Sequence, residues 1–192
     1  LLGAGWVAGE YVKVFRDHPL TEVIGLYNRT PGKATALLQK HGIQGIEYDS
    51  LDQFFADDRI QIVVSCTQPD VRAEHCVRAA ATGRHIVIEK PVGIAREQTA
   101  QIREAVAKAG VKTVTSFVLR WNPQFVTVRQ LINDGVLGEL IYGEADYWHP
   151  ARRALPGSPY LRKAVVGSAF LSGGCHAVDM LRYLGGEVAA VS

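Results

Sequence analysis

Three short runs in this 192-residue chain hold residue types at spacings from which chemistry can be built. Gly3-Ala4-Gly5-Trp6-Val7-Ala8 is a GxGxxA turn. The first glycine permits a tight turn, the second lets a pyrophosphate reach the backbone, and the small third residue lets helix and strand pack closely. A helix opening there turns its positive end towards the anion. In Glu89-Lys90-Pro91 a lysine precedes a residue that has no amide proton. Such a lysine can donate to a hydroxyl and stabilise developing oxyanion charge, although a lone loop lysine is more often simply solvated. His176 and Asp179 stand three apart, so a helix would set them on one face. A neutral imidazole there can take a proton near neutral pH. A helix start can equally use His and Asp as polar edge groups.

What these runs mean depends on the elements that carry them. Leu1-Leu2 reads as the stub of a first strand, and Val7 to about Asp17 as a helix ended by His18-Pro19. Val23 to Tyr27 is a second strand, and a helix then runs to about Lys40, stopped by Gly42. Ser50 with Gln53 three residues on is a capping-box spacing for a short helix. Ile60 to Ser65 is a strongly apolar strand of the kind buried on both faces of a parallel sheet. In a helix from Asp70 to Thr82, Ala73, Cys76, Val77, Ala80 and Ala81 recur at helical spacing and Gly83 closes it. His85 to Ile88 is a strand, Ile102, Ala105, Val106 and Ala109 mark the next helix, and Val111 to Phe117 a further strand. This alternation predicts an α/β, Rossmann-type doubly wound parallel sheet over 1–117, with most of its first strand missing.

Beyond Arg120 the rhythm changes. Pro123 opens a helix to Asp134, Glu139 to Trp148 reads as a longer strand, and an irregular stretch rich in Gly, Pro and Arg follows. A helix from about His176 to Leu184 is ended by Gly185-Gly186. Residues 118–192 therefore read as the start of a second domain. Glu187 to Ser192 reads as a strand that has just started, so the sequence reads as truncated at both ends. The apolar helix faces left uncovered predict poor solubility for this segment alone.

Apolar residues make up 47% of the chain, enough for a buried core. A formal charge of +2, with Lys and Arg dispersed, argues against a nucleic-acid partner. Arg152-Arg153 is the densest basic spot and reads as a solvated loop. No apolar run approaches bilayer-spanning length, so no membrane partner is expected. Cys66, Cys76 and Cys175 are far apart and odd in number, with no CxxC, which disfavours a disulfide framework or zinc knuckle and suits a reducing cytoplasm. The histidines show no pair at metal-ligand spacing, and no metal is expected.

The end of the second strand bears on cofactor choice. A carboxylate there usually reads the ribose hydroxyls of NAD, but this chain has Asn28-Arg29-Thr30. Loss of the carboxylate removes repulsion against a 2′-phosphate, and Arg29 and Thr30 can bind one, which leans towards NADP. The other reading keeps Asn28 on the ribose and stacks Arg29 on adenine.

The glycine turn, Thr67-Gln68-Pro69 with His75 downstream, Gly83-Arg84-His85 and Glu89-Lys90-Pro91-Val92 resemble the Gfo/Idh/MocA oxidoreductases in order and spacing. Arg120-Trp121-Asn122-Pro123, Gly138-Glu139-Leu140-Ile141 and Gly173-Gly174-Cys175-His176-Ala177-Val178-Asp179 resemble that family's later motifs. The resemblance implies an NAD(P)-dependent enzyme acting on CH–OH groups of sugars, inositols or related polyols. It further implies that residues 118–192 begin an α/β domain with an open sheet, and that the protein is a homo-oligomer formed through that C-terminal sheet. Lys90 and His176 match the family's catalytic lysine and histidine, which would polarise and deprotonate the hydroxyl. Cofactor contacts fall on Gly3, Gly5, Trp6, Val7, Ala8, Asn28, Arg29, Thr30, Cys66, Thr67, Pro69, His75, Glu89 and Lys90. Substrate contacts fall on Lys90, Arg120, Trp148, Ser172, His176 and Asp179, and Tyr147, Trp148 and His149 read either as a pocket wall or as sheet packing. One departure stands out: the family often carries Asp four residues before the histidine, where this chain has Ser172. A serine can bond substrate without supplying a carboxylate's charge, so a non-catalytic dinucleotide-binding regulator of the same fold is the alternative.

Overall fold

Val63 and Val64, neighbours on one strand, are both buried but in different clusters. Successive side chains on a strand point to opposite faces, so this strand lies inside a sheet covered on both sides. The computed structural model describes residues 1–148 and 162–191. The chain divides into two units, Leu1–Thr115 and Ser116–Ser192.

The first unit is the parallel sheet. Its strands are β1 (Gly25–Tyr27), β2 (Ile46–Tyr48), β3 (Ile62–Ser65), β4 (His85–Ile88) and β5 (Thr113–Thr115). β1 pairs with β2, and β3 with β4 and β4 with β5, all in parallel. Leu2 joins the two halves by parallel bridges to Tyr27 and Ser65. Counted with this stub as first strand, the order is 3-2-1-4-5-6, the doubly wound arrangement. The stub alternates its backbone between neighbours: Tyr27 N and Gly3 N serve the β1 side, Leu2 N and Cys66 N the β3 side.

Helices cover both faces. α1 (Trp6–Asp17) and α2 (Lys33–Lys40) contribute Val12, Ala34 and Leu38 to one cluster, with Leu26 and Val64 from the sheet. α3 (Leu51–Ala56), α4 (Pro69–Ala81) and α5 (Arg96–Ala109) contribute Phe54, Cys76, Ala79 and Ile102 to the other, with Val63 and Ile86. Each fully buried Val, Leu or Phe contributes about 1.5–3 kcal/mol relative to exposure. Local signals match these ends. Ser50 Oγ accepts from Gln53 N at 3.1 Å, and the Gln53 side chain accepts from Asp49 N at 3.1 Å. Gly110, with φ 66°, closes α5.

The second unit begins with a 3₁₀ turn (Val118–Trp121) and α6 (Pro123–Asn133), whose Pro123 sits at the first helical position and whose Asn122 side chain caps Gln124 N. A short α7 (Lys163–Val166) precedes a π-helical turn (Phe170–Gly174), which runs directly into α8 (Cys175–Gly185). Arg129 of α6 donates to the carbonyls of Tyr183 and Leu184, satisfying the negative end of α8.

Four expectations are corrected. Glu139 to Trp148 forms no strand: among the described residues nothing runs beside it to complete a ladder. Glu187 to Val191 is likewise not a strand, and Val111 to Phe117 narrows to Thr113–Thr115. The stretch Lys163–Gly185, 23 residues containing an 18-residue window of mean hydropathy 1.3, is long and apolar enough by length and composition to cross a membrane, contrary to the expectation that no such run exists. Gly167, at φ 76° and ψ −79°, breaks it, and it carries the buried polar groups of His176 and Asp179. Such groups oppose placement in hydrocarbon.

Candidate active site

Four loops leave the carboxyl ends of adjacent parallel strands in the first unit, flanking the point where the strand order reverses. In doubly wound sheets the connections leave towards opposite faces at such a point, and ligands bind in the crevice this creates. Gly3 follows the stub, Asn28 follows β1, Cys66 follows β3 and Glu89 follows β4.

Gly3 has φ 94°, and a Cβ there would lie 3.1 Å from the carbonyl oxygen of Cys66. Only glycine takes this turn without strain. Gly5 is the N-cap of α1, no side chain caps it, and a Cβ built on it would meet nothing within 4 Å. The first turn of α1 also carries no acidic residue. This open backbone at a helix's positive end fits a dinucleotide's pyrophosphate. Ala8, fully buried, gives the close helix–sheet packing. Trp6 is exposed and Val7 half-buried on the same turn.

Asn28 links two of the loops. Its Oδ1 accepts from Ala4 N at 3.1 Å, and its Nδ2 donates to Thr30 O at 2.9 Å. Arg29 and Thr30 are exposed beside it. Glu47 of β2 accepts from the amides of Gly32 at 2.7 Å and Thr35 at 3.0 Å and from the Thr35 hydroxyl. Those bonds hold its carboxyl below the usual range.

Around the β3 and β4 loops, Ser65 Oγ lies 3.4 Å from Thr67 Oγ1, which lies 3.1 Å from His75 Nδ1. Burial holds His75 below the ordinary histidine pKa and pushes the Cys66 thiol up to about 12, with Glu89's charge adding to the second effect. Cys66 therefore stays a neutral thiol near neutral pH. Pro69 opens α4. Glu89 N pairs with Ser65 O, extending the β3–β4 ladder to the crevice. The Glu89 carboxylate accepts from Tyr11 Oη at 2.9 Å and from Lys90 N at 3.1 Å. Lys90, half-buried, is joined to Pro91 by a cis peptide. Sequence reasoning missed Tyr11 and Arg72: both read as ordinary helix positions, and only the fold aims them at these loops.

In the second unit His176 is 3% exposed at the start of α8. Its ring lies 4.9 Å from Tyr147, tilted by 34°, and 6.2 Å from Phe117, edge-on. Asp179 is buried on the same helix, but its carboxylate faces Arg120: Nε donates to Oδ2 at 2.8 Å and Nη2 to Oδ1 at 2.7 Å. This bidentate pair raises the Arg120 pKa, and the guanidinium also lies 5.3 Å from the Tyr183 ring. Ser172 sits half-buried in the π turn and its amide donates to Ser168 O. Trp148 is exposed, while His149 and Arg152-Arg153 lie outside the described residues.

Residues 1–117 match the family described as an oxidoreductase family with an NAD-binding Rossmann fold, and residues 125–192 match the Gfo/Idh/MocA C-terminal domain. An inositol 2-dehydrogenase of Rhizobium meliloti (strain 1021) is 29% identical over 187 residues, covering 97% of this chain and 54% of that protein. A levoglucosan dehydrogenase of Pseudarthrobacter phenanthrenivorans is 28% identical over 178 residues, covering 91% of this chain and 45% of that protein. A solved levoglucosan dehydrogenase in complex with NADH and levoglucosan superposes with a TM-score of 0.84 at 23% identity, covering 97% of this chain and 53% of that one, a likeness of fold. The chain spans about half the length of the curated relatives it matches. Matched through its first 117 residues and again from 125 to its last, it belongs to the Gfo/Idh/MocA family of oxidoreductases.

Proposed function

We propose that the full-length protein is an NAD(P)-dependent oxidoreductase acting on a CH–OH group of a sugar, inositol or related polyol. The observation that carries this reading is the glycine turn. Gly3 is pinned at φ 94° against Cys66, and Gly5 stands open at the helix start beside the reversal of strand order. The inositol and levoglucosan dehydrogenases among the relatives support the substrate class.

When bound, the nicotinamide supplies or accepts the hydride. The backbone from Gly3 to Ala8 would hold the pyrophosphate. Asn28, Arg29 and Thr30 would meet the adenosine ribose, and the exposed Arg29 with no carboxylate at position 28 supports a 2′-phosphate, hence NADP. Cys66, Thr67, Pro69, His75 and Glu89 would line the cofactor. Lys90 would donate to the reacting hydroxyl oxygen and steady charge as it develops there. His176, its ring held against Tyr147, would take the hydroxyl proton. Arg120, Trp148, Ser172 and Asp179 would meet the substrate, Arg120 and Asp179 as a mutually neutralised pair. Residues 1–117 act as the dinucleotide domain, and 118–192 begin the domain for substrate and homo-oligomer contacts, in the cytoplasm.

The test is a fluorescence titration of the full-length protein with NADPH and with NADH, followed by turnover assays on a panel of inositols, anhydrosugars and linear polyols. Binding of at least one dinucleotide and hydride transfer with some member of the panel is the expected result. Binding of neither dinucleotide overturns the reading.

A further inference from the structure

Arg72 lies on α4, where a helical arginine would ordinarily face water, yet it is 3% exposed. Its Nη2 donates to Thr67 O at 2.5 Å and its Nη1 to Pro91 O. Thr67 lies just past β3, and Pro91 directly follows Lys90. One buried guanidinium therefore ties together the two loops that carry Thr67 and Lys90. A planar fork can hold two carbonyls in fixed directions, which an ammonium cannot do with the same geometry. Burying a cation is costly unless its donors are used and its charge is answered. The Glu89 carboxylate answers it electrostatically, and Glu89 is itself fixed by the Tyr11 hydroxyl while accepting from Lys90 N. The backbone at Lys90 is thus held on both sides: its amide by Glu89, and the next carbonyl by Arg72.

We propose that Arg72 is a positioning residue for Lys90, setting the direction of the lysine by clamping the Pro91 carbonyl against the Thr67 loop. This inference rests on the role given to Lys90 above. Arg72 does not touch substrate; it acts through the loop.

The experiment uses the full-length protein carrying Arg72→Lys, which keeps the charge and loses the fork. Turnover is measured together with hydrogen exchange followed by mass spectrometry and with dinucleotide binding. Turnover should fall by about ten- to a hundredfold, the range a misplacement of about 1 Å produces. Exchange should rise selectively in the two segments that the guanidinium ties together, Cys66 to Gln68 and Glu89 to Val92, while β1, β2 and α5 stay near the parent and dinucleotide binding weakens far less than turnover falls. Unchanged turnover, or exchange rising across the whole sheet alike, overturns the proposal. Should Arg72→Lys prove too unstable to assay, Arg72→Gln, neutral and of similar reach, is read in the same way. Lys90→Met separates the two levels. If it leaves turnover intact, the role of Lys90 fails; if it abolishes turnover while Arg72→Lys does not lower it, only the positioning role fails.

Discussion

The side chain of Asn28 accepts a hydrogen bond from the amide of Ala4 at 3.1 Å, so the residue that follows β1 braces the middle of the glycine turn. Its amide group also donates to Thr30 O, which makes the turn and the Arg29 loop one hydrogen-bonded unit. An aspartate at this position could accept from Ala4 in the same way but could not donate to Thr30.

Asn28→Ala should weaken both dinucleotides together. The Ala4 amide would lose its partner at a cost of about 1 kcal/mol or somewhat more, which translates to a loss of roughly five- to tenfold in affinity. Parallel titrations of the full-length variant with NADH and NADPH check this. A loss confined to one dinucleotide would show that Asn28 reads the ribose and does not brace the turn.

Arg29→Ala should separate the two cofactors. A guanidinium opposite a phosphate makes charge-assisted bonds worth more than a neutral contact, so NADPH should lose about tenfold or more while NADH changes little. Equal losses in the same titrations would reassign Arg29 to stacking on adenine.

His176→Ala should lower turnover by about 10²–10⁴-fold, the range for loss of a general base. The ring is buried against Tyr147 and Phe117, so truncation also removes packing. His176→Gln keeps much of that volume, and it should show the same loss of turnover with a thermal midpoint closer to the parent. Turnover surviving in both variants would take His176 out of the chemistry.

Stability should fall as pH drops below the ordinary histidine range, and His75 should account for part of the fall. Burial lowers its pKa in the folded chain from 6.5, with Arg78 and Arg72 adding to the effect. The unfolded chain therefore takes up the proton first as pH falls. The stability contributed by neutral His75 is complete above about 6.5 and is lost from there downwards towards the folded value. His41, lowered mainly by burial as well, acts in the same direction. Thermal melts at about pH 7.5 and about pH 5.5 should show a smaller difference in His75→Gln than in the parent. Parallel drops would place the sensitivity elsewhere.

The elements that sequence alone made legible are those whose signals are local. The φ-positive glycines at 3 and 110, the Ser50–Gln53 cap and the apolar run at 62–65 each name their own conformation. Strand β2 was missed because three residues, Ile46-Glu47-Tyr48, show no run, and Glu47 earns its place only by capping α2. Glu139 to Trp148 shows the reverse: extended residues became a predicted strand, but a strand exists only with a partner. Arg72 was invisible for the same reason as β2. Its role lies in carbonyls five and nineteen residues away along the chain, and neither is marked by a side chain. Asp179 was expected to face His176 or a substrate hydroxyl; nothing in the spacing pointed to Arg120, fifty-nine positions earlier.

The π turn at Phe170–Gly174 bears on how this segment can change over evolution. A π turn holds one residue more than an α turn, so it is a place where a helix can lose or gain a residue without breaking. Deleting one residue there would restore α geometry and leave the phase of His176, Asp179 and Met180 within α8 untouched. The wide turn absorbs its extra residue, so the elements upstream would keep their heading about the helix axis, while a deletion at Gly173 or Gly174 would put Leu171 in place of Ser172 four positions before His176. The side chain offered four places before the histidine is therefore open to replacement by slippage as well as by substitution.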